Sequence, residues 1–284
     1  MKDWSYLYAS VQGKGHIEEN IPCQDFCNIF HHTNYTFCVV SDGAGSCEKS
    51  DIGSKKATEF VNTYFPKLIE EKKWHKPHAK IKAKDWHKAA IKGLKAIRDD
   101  LERVSISEGC EIKELSCTLI ILIHLKEKLL LTHIGDGRAG YCNTKDEWKA
   151  LMNPYKGGYS NETVFITSNI WGDKEKLNHY IESRVCSEKV KAFCLLSDGC
   201  ENASFECYKL DEETQVPEDI NKPFKDFFHE NVNLHIPNLI KSQKNQQELN
   251  QIWESFLTDG NDTLKNESDD KTMILAVKVP QLES

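Results

Sequence analysis

Three apolar stretches of the chain end on an Asp-Gly pair. CVVSDGAGS (38–46) carries Asp42-Gly43, LLLTHIGDG (129–137) carries Asp136-Gly137, and FCLLSDGC (193–200) carries Asp198-Gly199. A fourth stretch, ESDDKTMILAV (267–277), runs the other way, with Asp269 and Asp270 leading into apolar residues. One such pair is ordinary turn chemistry, because aspartate bonds its own backbone and glycine accepts positive φ. Three of them, each closing a buried-looking strand, raise a second reading. Carboxylates gathered at strand ends repel and raise one another's pKa. A hard divalent cation removes that conflict and takes oxygen ligands. Mg²⁺ or Mn²⁺ suits aspartate, a backbone carbonyl and water better than zinc does. A glycine after Asp42 lets a carbonyl approach an ion closely. Two such ions close together acidify a shared water and clamp a phosphoryl group.

The elements that would position these carboxylates can be read from pattern. Residues 36–41, 115–125, 128–134, 191–197 and 272–279 are β-branched or continuously apolar and predict strands. The short Lys-Glu connector predicts an antiparallel hairpin between the second and third of these. Residues 137–142 and 147–151 are expected to extend the same meander. Ser50 offers an N-cap to a helix with Ala57, Phe60, Val61, Tyr64 and Leu68 on one face. Trp86, Ala90, Leu94, Ile97 and Leu101 repeat in the same way, and Leu249, Ile252, Trp253, Phe256 and Leu257 form a further apolar face. Residues 153–176 are polar and glycine-rich, a long loop of the kind that is often functional. Hairpin-linked strands segregated from helices predict an α+β layered domain.

Composition narrows the class. The chain has 284 residues, 39% hydrophobic and 29% charged, which fits a globular protein and not a disordered one. A formal net charge of -7 argues against a nucleic-acid partner. The basic stretch KKWHKPHAKIKAKDWHK (72–88) reads as a solvated loop and helix start. No apolar run is long enough to cross a membrane, and residues 1–10 lack the apolar core of a signal peptide. Eleven cysteines without a CxxC pair predict free thiols in a cytoplasmic location. Cys23, Cys27, His31 and His32 lack the tight repeated spacing of a zinc site. No Gly-rich nucleotide loop follows a strand. No cysteine is followed by the arginine that a Cys-x5-Arg phosphate cradle requires.

VVSDGAGS, SCTLIIL, THIGDGRAGY, LLSDGCE and DDKTMILAV, in that order, resemble the signature series of the metal-dependent protein phosphatases of type 2C. GKGHIEENIPCQDF resembles the family's first acidic motif, ending in Asp25. KGGYSNETVFIT (156–167) resembles its bacterial branch. The likeness spans about residues 11 to 279 and implies a single domain over 1–284. It implies a four-layer αββα sandwich of two antiparallel sheets flanked by helices, with a flap at 153–176. It implies hydrolysis of phosphoserine and phosphothreonine in proteins by a metal-activated water, with Mg²⁺ or Mn²⁺. A protein substrate, and a cognate kinase or its targets, are the implied partners.

Carried over by position, Asp42, the Gly43 carbonyl, Asp198 and Asp269 hold two ions, and Asp25 stands behind them or binds through water. Asp136 matches a ligand of a third, looser ion. Asp42, Asp198 and Asp269 form the catalytic set, with Asp270 competing for the role of Asp269. Thr118 and Arg138 match positions that look structural. The flap residues Gly157, Gly158, Tyr159, Asn161, Glu162 and Thr163 are expected near substrate.

Three departures stand out. The arginine that many members place before the first motif is missing, which leaves His16 or Lys14 to bind substrate phosphate. Ala44 stands where some members have a histidine acid. Asn202 stands where aspartate often helps the third ion, so a weak third site is expected. Two other readings stay open: a catalytically weak or inactive relative that binds phosphoproteins, and a hydrolase of small phosphorylated molecules.

Overall fold

The computed structural model describes residues 3–155, 163–210, 217–242 and 244–279. In chain order, β1 (Trp4–Val11) is followed by α1 (Lys14–Glu19), β2 (Phe26–His31) and β3 (Tyr35–Ser41). Two long helices come next, α2 (Ser50–Glu71) and α3 (Ala83–Glu108). Then come β4 (Leu119–Leu125), β5 (Leu129–Ile134), β6 (Arg138–Asn143) and β7 (Trp148–Ala150). After α4 (Lys174–Tyr180) the chain forms β8 (Ile181–Cys186) and β9 (Val190–Leu196). It continues through α5 (Glu201–Ser204), the hairpin β10 (Phe205–Leu210) and β11 (Pro217–Pro223), and α6 (Lys225–Glu230). It ends with α7 (Ile236–Lys241), α8 (Gln246–Asp259), α9 (Asp262–Asn266) and β12 (Lys271–Lys278).

Ten of the strands form two five-stranded antiparallel sheets, and β10 and β11 pair separately. One has the order β1-β12-β9-β6-β7 and the other β2-β3-β4-β5-β8. Side-chain alternation explains why they face each other. On β3, Tyr35, Phe37 and Val39 point at α2 and α3, while Cys38 and Val40 point at the opposite sheet. On β12, Ile274 and Ala276 fill the same inter-sheet layer, while Met273, Leu275 and Val277 meet Trp253 and Leu257 of α8. A strand covered on both faces has no polar side to show, so CVV and LIILI read as continuous apolar runs. Four layers result, α2–α3, sheet, sheet and the α5–α9 group, which is the expected αββα sandwich.

Several expectations change in detail. Ser50 begins α2 but does not cap it: its hydroxyl donates to Cys47 O at 3.0 Å. β6 and β7 do not continue the β4–β5 meander. β6 pairs with β9 in the other sheet, so the chain crosses between sheets at residues 135–137. Gly135 makes that crossing with φ of 112°, where a Cβ would also meet Thr118 Cβ at 2.6 Å. The far half of the long loop is only partly solvated: Ile166 and Ile170 are buried, while residues 172–176 are exposed. Ile166 is fully buried beneath α2 and α3, and its N–H donates to Cys117 O at 3.0 Å. Gly157, Gly158, Tyr159, Asn161 and Glu162 lie outside the described residues.

Candidate metal centre

The carboxylates converge because strand ends do. β3 ends at Ser41 and β4 starts at Leu119, with Gly43 bridged to Cys117 between them. The exchange of Thr118 N–H to Asp42 O (2.8 Å) and Asp42 N–H to Thr118 Oγ1 (3.1 Å) fixes the backbone of Asp42. In the other sheet β9 ends beside the start of β12, and Ser197 N–H donates to Thr272 O at 3.0 Å. The crossing from β5 to β6 places Asp136 between the two sheets' contributions. One carboxylate oxygen each of Asp42, Asp136 and Asp198 lies within 4.8 Å of the other two.

The glycines of these pairs serve close approach, not positive φ. A Cβ at Gly43 would meet Gln24 O at 2.5 Å, one at Gly137 would meet Leu196 O at 2.7 Å, and one at Gly199 would meet Asp270 O at 2.0 Å. Gly199 therefore keeps the Asp198 turn against the Asp269–Asp270 segment that leads into β12. We expect Gly199→Ala to lower stability by about 3 kcal/mol, as overpacking against backbone does, and to weaken metal binding with it. Thermal melts and metal titration read both effects. An unchanged melting midpoint would contradict the close contact.

Electrostatics in the site run against ionisation. Burial pushes the Asp42 carboxyl well above the usual carboxylate range, and Asp25, Asp198, Asp136 and Asp269 add repulsion. Burial, then Asp136 and Asp269, push Asp198 up to about 7. Asp269 is also raised, by burial first. Asp198 Oδ1 is buried and has no hydrogen-bond partner among the described residues. An orphaned carboxylate oxygen among like charges fits a divalent cation, which would satisfy the lone pairs and cancel the repulsion.

Asp25 sits deeper, 3% exposed, and accepts from Ser197 Oγ at 2.6 Å. Its carboxyl is raised by burial, opposed by the Ser197 bond. Asp270 differs in kind from Asp269. Its two oxygens accept from Gly13 N (2.8 Å) and Gln24 N (2.6 Å), and His16 Nδ1 lies 2.9 Å from Oδ1. Asp270 is thus a clamp holding the residue 13–24 segment onto the site, while the Asp269 carboxylate accepts from its neighbour's N–H, Asp270 N, at 2.8 Å. His16 belongs to this clamp through Nδ1, and Lys14 lies exposed at the start of α1.

Arg138 is fully buried. Its Nε donates to Glu201 Oε2 (2.8 Å) and its Nη1 to Asn221 Oδ1 (2.6 Å), which ties the β10–β11 hairpin to the turn after Asp198. Glu201 is held there by Arg138. Ser197 and the Thr272 backbone N–H, which donates to Ser197 Oγ at 3.0 Å, were not singled out in the sequence. The signal was present in the serine preceding Asp198, but Ser41 in the equivalent place does something else and donates to Thr118 O at 2.5 Å.

Clustered carboxylates where two stacked antiparallel sheets meet make a site suited to divalent cations. A family model described as Protein phosphatase 2C matches residues 12–250 of the chain. The chain belongs to that family and is a metal-dependent protein phosphatase acting on phosphoproteins. It is 25% identical over 219 residues to serine/threonine-protein phosphatase 3 of Escherichia coli (strain K12), across 75% of this chain and 79% of that one. Its fold is similar to that of the Mycobacterium tuberculosis serine/threonine phosphatase PstP/Ppp, with TM-score 0.55, 14% identity, and 98% and 99% of the two chains covered. It is also similar to RsbX in complex with magnesium, with TM-score 0.51, 14% identity, and 96% and 94% covered.

Proposed function

We propose that the chain, as one domain over 1–284, removes phosphate from phosphoserine and phosphothreonine in proteins with two Mg²⁺ or Mn²⁺ ions. Asp42, the Gly43 carbonyl, Asp198 and Asp269 hold them, and Asp136 offers a ligand to a looser third. The observation that carries this reading is the cluster of Asp42, Asp136 and Asp198 oxygens within 4.8 Å, with Asp198 Oδ1 buried and lacking a hydrogen-bond partner among the described residues. When bound, such ions supply an acidified water and neutralise phosphoryl charge. The chain's own part is to hold the ligands rigid. Thr118 fixes Asp42, Ser197 orients Asp25, and Asp270 with His16 seats the first motif.

Lys14, exposed beside this clamp, is the cation we assign to substrate phosphate in place of the missing arginine, with His16 positioning it. A thiol mechanism finds no support. Cys200 is fully buried next to the site, and burial pushes its thiol well up. The full set of carboxylates favours catalysis over a phosphoprotein-binding role. A kinase that installs the phosphate is the implied counterpart, and eleven free thiols fit the reducing cytoplasm. No helix of the described residues is long and apolar enough to cross a membrane.

A phosphothreonine peptide incubated with Mn²⁺ should release phosphate, and a chelator should stop it. Metal bound by calorimetry without release from the peptide would overturn the protein-substrate reading.

A further inference from the structure

The basic stretch that composition assigns to solvent contributes to a cavity of 440 Å³ at the opposite end of the sandwich. The strand registers fix its place. Tyr35 pairs with Leu125, and Trp4 with Lys278, at the cavity end; Val40 pairs with Ile120, and Val11 with Lys271, at the carboxylate end. Strands of this length separate the two ends by about 20 Å.

Two chemistries meet in the lining. Trp4 and Trp74 supply aromatic walls, and Lys76, Lys126, Lys128 and Lys278 supply cations. Trp4 stands edge-on to His124 with centroids 4.3 Å apart, and Trp74 packs at 5.9 Å against Trp86, so both rings are held. The wall between α2 and α3 is fixed in turn. Lys73 and His78 take left-handed φ of 55° and 59°, and Lys128 Nζ donates to Ala79 O at 3.0 Å. Lys76, Lys126 and Lys278 are exposed and make no ion pair among the described residues. Among the described residues of the lining only Asp3 and Glu127 bring negative charge, and Glu127 lies 3.6 Å from His78. An excess of lysines in one concavity of a chain with net charge -7 is a local anion trap. Its volume suits a small ligand. Aromatic walls suit a planar ring, and unpaired ammonium groups suit phosphate.

We propose that this cavity binds a nucleotide-like anion, an aromatic ring carrying a phosphate. The proposal is independent of the phosphatase reading. Its probes are AMP, GMP, CMP and UMP, titrated into the full chain with chelator present so that the carboxylate site holds no ion. At least one should bind with Kd below about 1 mM and shift the indole N–H signals of Trp4 and Trp74. Affinity should fall as salt is raised. The double variant Lys126→Glu with Lys278→Glu should weaken binding about tenfold or more, with an unchanged melting midpoint. Lys126→Gln with Lys278→Gln, which adds no negative charge, should weaken it less. Binding by none of the four, equal binding of the nucleoside lacking phosphate, or binding that neither double variant weakens would overturn the proposal.

Discussion

Asp198→Asn should cut metal-dependent phosphate release by more than about a hundredfold, since even the outer partners of metal ligands are worth about 10–100-fold. The same change should make the metal-free protein more stable at pH 8. Both effects come from one geometry. Asp198 is buried beside Asp136 and Asp269, and its carboxyl is pushed up to about 7. In the unfolded chain it titrates at its ordinary value near 3.8. Below that value both states hold the proton and the site costs nothing. Between about 4 and 7 the unfolded chain has lost the proton while the folded chain keeps it, so stability falls as pH rises. Above 7 the fold carries the whole penalty. Metal-free melting midpoints should therefore decline from pH 4 to 7 in the wild type and decline less in Asp198→Asn, where Asp42 and Asp25 still contribute. Added Mn²⁺ should raise the wild-type midpoint by mass action and raise the variant's much less. A variant that keeps its turnover, or an identical pH slope in the two metal-free proteins, would remove Asp198 from the site.

The carboxylates were legible because the strands that carry them are covered on both faces. A buried run that stops at aspartate is visible without any partner, as at Val39-Val40 and Leu195-Leu196. The helices α2, α3 and α8 were legible for the same reason, since their apolar stripes follow one period. Which strand pairs with which was not. The pattern of β6 reports burial and says nothing of its neighbour, so the crossing at Gly135 stayed hidden behind an apparent meander. β1 was missed because its burial alternates irregularly, with Leu7 buried and Ser5, Tyr8 and Ala9 half-exposed. The lysine-rich segment is largely exposed, as its composition says, but that it shares a concavity was not legible, because Trp4, Lys126 and Lys278 arrive from distant parts of the chain. Asp269 and Asp270 are adjacent and chemically identical, so their partners in the fold tell them apart.

That pair gives the second large effect. Asp269→Asn should abolish metal-stimulated turnover while leaving the fold intact, and Asp270→Ala should damage the fold itself. Asp270 is 1% exposed, and it accepts charge-assisted bonds from two backbone N–H groups, at Gly13 and Gln24. Removing the acceptor leaves both donors buried without partners, at about 1–3 kcal/mol each. The loss should total about 2–6 kcal/mol and free the residue 13–24 segment, which brings Asp25 to the site. Asp270→Asn keeps one acceptor oxygen and should recover part of this loss. Asp269 instead adds its charge to those around Asp42 and Asp198, and its carboxylate accepts from Asp270 N just before β12, a bond that asparagine can keep without the charge. Chemical denaturation with and without Mn²⁺ separates the two roles. The expected result is a lowered metal-free midpoint for Asp270→Ala, and for Asp269→Asn a wild-type or higher midpoint with no metal-induced shift. The reverse pattern would exchange the assignments, making Asp270 the ligand and Asp269 the clamp.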